Sequence, residues 1–106
     1  MRAGRLDKRI SIDRRVEDTD DAGDPVVSWI AFAVDLPAEV IQAAGRERLK
    51  AHGETALADA VFRIRWLAGV ETSMRIRWDG DEYDIAAIKK LGRRRGLEIT
   101  ATAVVA

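Results

Sequence analysis

Apolar and polar residues alternate with a period of two along most of this chain. Ile10, Ile12 and Val16 share one face of a strand, interrupted by Arg14, while Arg9, Ser11, Asp13 and Arg15 share the other. Phe62, Ile64 and Trp66 alternate with Arg63 and Arg65, and Met74, Ile76 and Trp78 alternate with Arg75 and Arg77. Asp79-Gly80 predicts a tight hairpin that returns through Tyr83 and Ile85. Leu97, Ile99, Ala101 and Ala103, opposed by Glu98, Thr100 and Thr102, predict the last strand. Val26 to Val34, VVSWIAFAV, is apolar on both faces, which predicts a strand covered on one side by the protein interior and on the other by a helix or a neighbouring subunit. Pro37 argues against a central, fully paired strand over Asp35 to Ala43, because proline has no N–H to donate. The three tryptophans, Trp29, Trp66 and Trp78, fall at core-facing or buried-strand positions.

The alternation breaks at Gly45 to Ala60, GRERLKAHGETALADA. Leu49, Gly53, Ala56, Leu57, Ala60 and Val61 follow a helical spacing there, which predicts a short helix from near Arg46 and then a loop. Strand connections have a median of about 4 to 6 residues, and much longer ones are usually functional or disordered, so this insert is the first place to look for function. The expected fold is mainly β: six or seven antiparallel strands in a small barrel, with one short helix and a long loop, forming a single domain over residues 1–106. Residues 1–6 carry Arg2 and Arg5 with little apolar surface and read as a flexible arm.

Composition excludes more than it assigns. Eighteen basic and eighteen acidic residues cancel, so any contact with nucleic acid has to be local. The absence of Cys and the single His52 argue against disulfides and against a zinc site. No apolar run approaches the roughly 18 residues of a membrane span, and MRAGRLDKRI lacks a signal-peptide core, which predicts an intracellular protein without membrane contact. Glu17 to Pro25, EDTDDAGDP, predicts a turn. Asp18, Asp20 and Gly23 fit part of a calcium loop, but Ala22 and Trp29 stand where ligands are required, which favours a solvated turn. Neither a nucleophile elbow nor a metalloprotease motif is present, and Gly92 to Gly96 is too short for a phosphate loop. The expectation is a non-enzyme without cofactor or metal. Arg63, Arg65, Arg75 and Arg77, expected on neighbouring strands, and Arg93, Arg94 and Arg95, crowded into one turn, form a candidate basic contact surface for phosphate or an acidic partner. The alternative is a solvated face paired with nearby carboxylates.

Order along the chain carries a resemblance. The pieces MRAGRLDKRISIDR, DDAGDPVVSW, AGRE, FRIRW, WDGDEYDI and LEITA, in that succession, resemble the phage head–tail joining family: the head-completion, or stopper, proteins of long-tailed phages and gene transfer agents. The chain departs from that pattern at Phe32 to Val40, where the family commonly carries another aromatic pair and Val34-Asp35-Leu36-Pro37 stand here. The resemblance implies a non-enzymatic ring of six or twelve copies in the neck of a phage or phage-like particle, assembled in the bacterial cytoplasm. Its partners would be the portal or adaptor protein above, the tail terminator or tail tube below, and double-stranded DNA in the channel. The long loop would reach into that channel, which assigns Gly45, Arg46, Glu47, Arg48, Leu49, Lys50, His52, Gly53 and Glu54 to it. The arm and the acidic turn add little to a core and are expected as assembly contacts through Arg2, Arg5, Asp20, Asp21 and Asp24. The rival reading from another class is a free-standing nucleic-acid-binding β-barrel resting on the arginines.

Overall fold

The structure, a computed structural model, describes residues 5–43 and 59–104. Six strands, β1 (Lys8–Thr19), β2 (Pro25–Ala43), β3 (Asp59–Arg65), β4 (Arg75–Trp78), β5 (Asp81–Leu91) and β6 (Gly96–Ala103), close into a barrel in the order β1-β2-β3-β6-β5-β4. Every neighbouring pair is antiparallel. The predicted alternation sets the inside: Ile10, Ile12, Phe62, Ile64, Ile76, Tyr83, Leu97 and Ile99 all point inward and are buried. Phe62 sits at the centre, with Tyr83 and Trp78 edge-on to it at ring-centroid distances of 5.4 and 6.0 Å. The turn Asp79-Gly80 joins β4 to β5 with φ of 53° and 81°, the doubly left-handed pair that a two-residue hairpin needs and that Asp-Gly tolerates.

β2 includes Pro37, which pairs with Arg9 of β1 alone because β2–β3 pairing begins only at Ala38; as its proline predicts, the strand there is not paired on both sides. Other expectations are corrected. Register shifts between Ile10 and Asp13 insert extra residues into β2, and Asp35, at φ 54°, takes the left-handed conformation of such a bulge. Asp59, Ala60 and Val61, at the end of the insert, belong to β3, where pairing with β6 outweighs their helical spacing. No helix occurs among the described residues; the one predicted near Arg46 lies outside them. Leu6, placed in the flexible arm by its neighbours' polarity, is buried at 7% exposure and so ends the arm as an anchor.

Consecutive strands alternate in direction, which sorts the connections between the two ends of the barrel. One end carries the β1–β2, β3–β4 and β5–β6 turns. The other carries residues 44–58, the Asp79-Gly80 turn and Val104, whose N–H donates to the Glu82 carbonyl at 2.8 Å.

Candidate functional site

β1 and β2 outrun the barrel. β1 pairs with β4 only from Ser11 to Asp13, and β2 pairs with β3 only from Ala38 onward. Arg14–Thr19 and Pro25–Ile30 therefore pair only with each other, as a two-stranded ribbon that continues past the closed wall. On it Val26, Val27 and Ile30 are each exposed by more than 40%, and Val34 at its base by 58%. Over Val26–Ile30 this corrects the expected cover by the protein interior, which does not extend beneath the ribbon; cover by a neighbouring subunit is the other expectation for this stretch. Trp29 is likewise outside the core. It is half-buried on the ribbon's outer face, with the Arg75 guanidinium 4.2 Å above its ring.

The tip of the ribbon is acidic. Glu17, Asp18, Asp20, Asp21 and Asp24 lie between Val16 and Pro25 with no basic residue among them. Asp20 is committed to the turn, its Oδ1 accepting N–H groups from Ala22 at 3.0 Å and Asp24 at 2.8 Å, which is what an aspartate does in a local turn rather than at a metal. Arg15 offsets part of the charge through its ion pair with Glu17.

The strand order places β5 and β6 directly across the barrel from β2 and β1. The end of β5 and its turn into β6 carry the opposite charge: Lys89 and Lys90 on the strand and Arg93, Arg94 and Arg95 in the turn, with Gly92 and Arg94 both at positive φ. Lys90, Gly92, Arg93 and Arg94 surround Trp66 in an open depression of about 550 Å³. The Lys90 Nζ and Arg94 Cζ stand 5.7 and 6.0 Å from the indole centroid. Trp66 is thus half core and half floor of a cationic shelf, an arrangement that its alternation with Arg65 does not disclose.

The other arginines are engaged differently. Arg63 and Arg65 lie on β3 and Arg75 and Arg77 on β4, and these strands are not neighbours in the barrel, which corrects the expected continuous stripe. Chain order does not fix strand order: β6 and β5 intervene on one side, β2 and β1 on the other. Arg63 donates to Glu98 at 2.9 Å; Arg75 donates to Asp84 at 2.9 Å and Glu82 at 2.8 Å. Arg77 holds Asp13 with two hydrogen bonds, at 2.6 and 3.1 Å, and this bond to a carboxylate raises the guanidinium pKa further above its ordinary value. Asp13 is buried at 7% exposure, a role invisible in a sequence where it alternates as an ordinary outward residue. Arg65 and Arg5 are exposed. Arg2 and the whole loop set from Gly45 to Glu54 lie outside the described residues.

Residues 44–58 have a definite frame, however. Ala43 and Ala60 face each other in the β2–β3 ladder, so the segment leaves and re-enters the barrel on adjacent strands, where a hairpin of two to five residues would suffice. Among the described residues, no group of three or more His, Cys, Asp or Glu side chains is arranged to hold a metal.

The sequence matches the family described as phage head completion protein over residues 1–104. The chain belongs to that family. As a head completion protein it is a phage-type structural protein of a particle, working with the particle's other structural proteins. Solved structures agree in fold. Protein SF1141 from Shigella flexneri 2a superposes with a TM-score of 0.71 at 24% identity, covering 97% of this chain and 96% of that one. A chain from the virion of a native gene transfer agent particle gives 0.62 at 22%, covering 92% and 96%. The phage-like element PBSX protein xkdH from Bacillus subtilis gives 0.58 at 15%, covering 91% and 92%. No curated protein matches the chain. In this head completion protein, therefore, the features to explain are contact surfaces: the ribbon, the cationic shelf and the 44–58 segment.

Proposed function

We propose that this head completion protein forms a ring between the portal or its adaptor and the tail, closes the DNA channel after packaging and presents the platform on which the tail docks. It acts by shape and contact, without chemistry. The family match over residues 1–104 carries the reading. The likeness to a chain of a gene transfer agent virion supports it. In this reading the 44–58 segment, with Gly45, Arg46, Glu47, Arg48, Leu49, Lys50, His52, Gly53 and Glu54, projects toward the channel. Residues 45–58 carry three basic and two acidic side chains, a net charge of only +1 per copy, so the segment neither traps passing DNA strongly nor repels it. Ring symmetry multiplies whatever weak contact each copy makes.

The test replaces residues 45–58, and not Asp59 or Ala60 of β3, with a short Gly-Ser linker. The expected protein folds and enters particles, but those particles lose DNA before tail attachment. A folded variant whose particles retain DNA as well as the parent's removes the segment from channel closure.

One observation favours a second reading, a nucleic-acid-binding barrel: the Trp66 floor beneath Lys90 and Arg94 combines a stacking surface with cations. If it is right, the isolated chain binds duplex DNA with log affinity falling linearly in log salt, by about 0.9 per phosphate neutralised. A flat salt response excludes it.

A further inference from the structure

We infer that the acidic tip of the β1–β2 ribbon seats on the cationic shelf of the β5–β6 turn of a second copy of this chain, and that this head-to-tail contact is what joins neighbours in the ring. The inference rests on the ring reading above and names the surfaces that would make it. Three observations converge on a copy of the same chain as the occupant. The two protrusions carry five acids and five bases on a chain whose total charge is zero, so each finds its complement in another copy. They emerge at the same end of the barrel but on opposite walls, β1 and β2 facing β6 and β5 across the interior. A contact between opposite walls uses two different patches and is heterologous, the type that propagates and closes when the rotation per copy divides a full turn.

The third observation is that the ribbon is built to be covered. Val26, Val27 and Ile30 are exposed in the single chain behind the acidic tip, while Trp66 forms the floor of the shelf, so seating the tip also brings apolar surface together. The contact engages one barrel end and leaves free the opposite end, where β2 finishes at Ala43 and β3 begins at Asp59.

The chain has no cysteine, so single cysteines report the contact. Full-length chain carrying Ala22→Cys is mixed with full-length chain carrying Arg93→Cys at low salt and about millimolar protein, where a contact with a Kd near 1 mM is about half occupied. A short bismaleimide then traps neighbours. The expected result is a heterodimer product at least about tenfold above either chain treated alone, because the contact pairs unlike patches. Adding Asp21→Lys and Asp24→Lys to the first chain lowers that product about tenfold, and adding Lys90→Glu and Arg94→Glu to the second restores it. Restoration also shows that the reversed chains fold.

If lysine cross-linking of the parent shows closed rings in native mass spectrometry while the heterodimer product is absent, the tip-to-shelf contact is overturned and the ring reading stands. If neither rings nor product form, both fall. If the product is absent and Lys90→Glu with Arg94→Glu instead abolishes salt-dependent binding to duplex DNA, the shelf is a nucleic-acid surface and the inference is overturned.

Discussion

β1 passes through two environments without changing its pattern. From Ser11 to Asp13 it lies in a closed wall, with β2 on one side and β4 on the other, and Ile12 and the adjoining Ile10 are buried. From Arg14 to Thr19 it has only β2 as a neighbour, and Val16, the next apolar residue on the same face, is half-exposed. The difference arises not in β1 but in the length of β4, which spans only Arg75 to Trp78 and cannot follow. Burial in a barrel is a property of closure. Where closure ends, the same alternation produces a ribbon whose Val26, Val27 and Ile30 side chains are left exposed in the single chain.

The sharpest way to test this contrast is to truncate one large side chain in each region. Phe62→Ala should lower stability by about 3 to 5 kcal/mol in denaturant unfolding, since it empties the centre of the core. Ile30→Ala on the ribbon should stay within about 0.5 kcal/mol. Comparable losses at the two positions would mean that the ribbon packs on the barrel in solution. Asp13→Ala, at the boundary between the regions, comes next. It strips Arg77 of both hydrogen bonds to a buried carboxylate, but Arg77 remains half exposed to water, so the loss should be about 1 to 2 kcal/mol by the same measurement.

Tyr83 gives a smaller, pH-dependent signal from within the core. Burial raises its pKa above the ordinary 10.0. Above about pH 10 the unfolded chain loses a proton that the folded chain keeps. Stability should therefore fall as pH rises past that point, by at most about 1.4 kcal/mol per unit from this one group, and Tyr83 should contribute no pH dependence below it. Among the described residues its hydroxyl has no hydrogen-bond partner, so Tyr83→Phe should leave stability unchanged or raised by up to about 1 kcal/mol at neutral pH while removing that alkaline loss. Unfolding midpoints of the two proteins at pH 8 and pH 10.5 check this. Trp29→Ala on the ribbon gives up the Arg75 guanidinium stack, about 0.5 to 1 kcal/mol, and should shift tryptophan emission more than the unfolding midpoint.

The barrel strands are legible in the sequence because inward positions are apolar and outward ones are mostly charged or hydroxyl-bearing, and Asp79-Gly80 has the backbone freedom that its turn requires. The ribbon is not legible as exposed. A period of two tells which residues share a face, and nothing in VVSWIAFAV tells whether that face meets an interior. Pro37 is legible as excluding a strand paired on both sides, and the strand order adds that the side without a ladder there is the one facing β3. The cationic turn is visible as LGRRRG, while the indole beneath it and the acidic tip across the barrel become visible only once β5 and β6 are set opposite β1 and β2. Asp13 is hidden for the same reason, since its partner Arg77 is distant in sequence and adjacent only through the β1–β4 ladder.

β2 itself is an uninterrupted strand of 19 residues, beginning at the ribbon turn and ending at Ala43, where residues 44–58 depart. Mechanically it is a tie rod. A pull on the ribbon tip, directed along the strand, loads the β1–β2 and β2–β3 ladders in shear, so many hydrogen bonds share the force instead of opening one after another. The bulges at Phe32 and Asp35 are where such a rod bends most readily, within the section paired with β1 and before β3 takes over the pairing at Ala38. Tension applied by a neighbour at one end of the barrel therefore has a stiff, continuous path to the root of the 44–58 segment at the other.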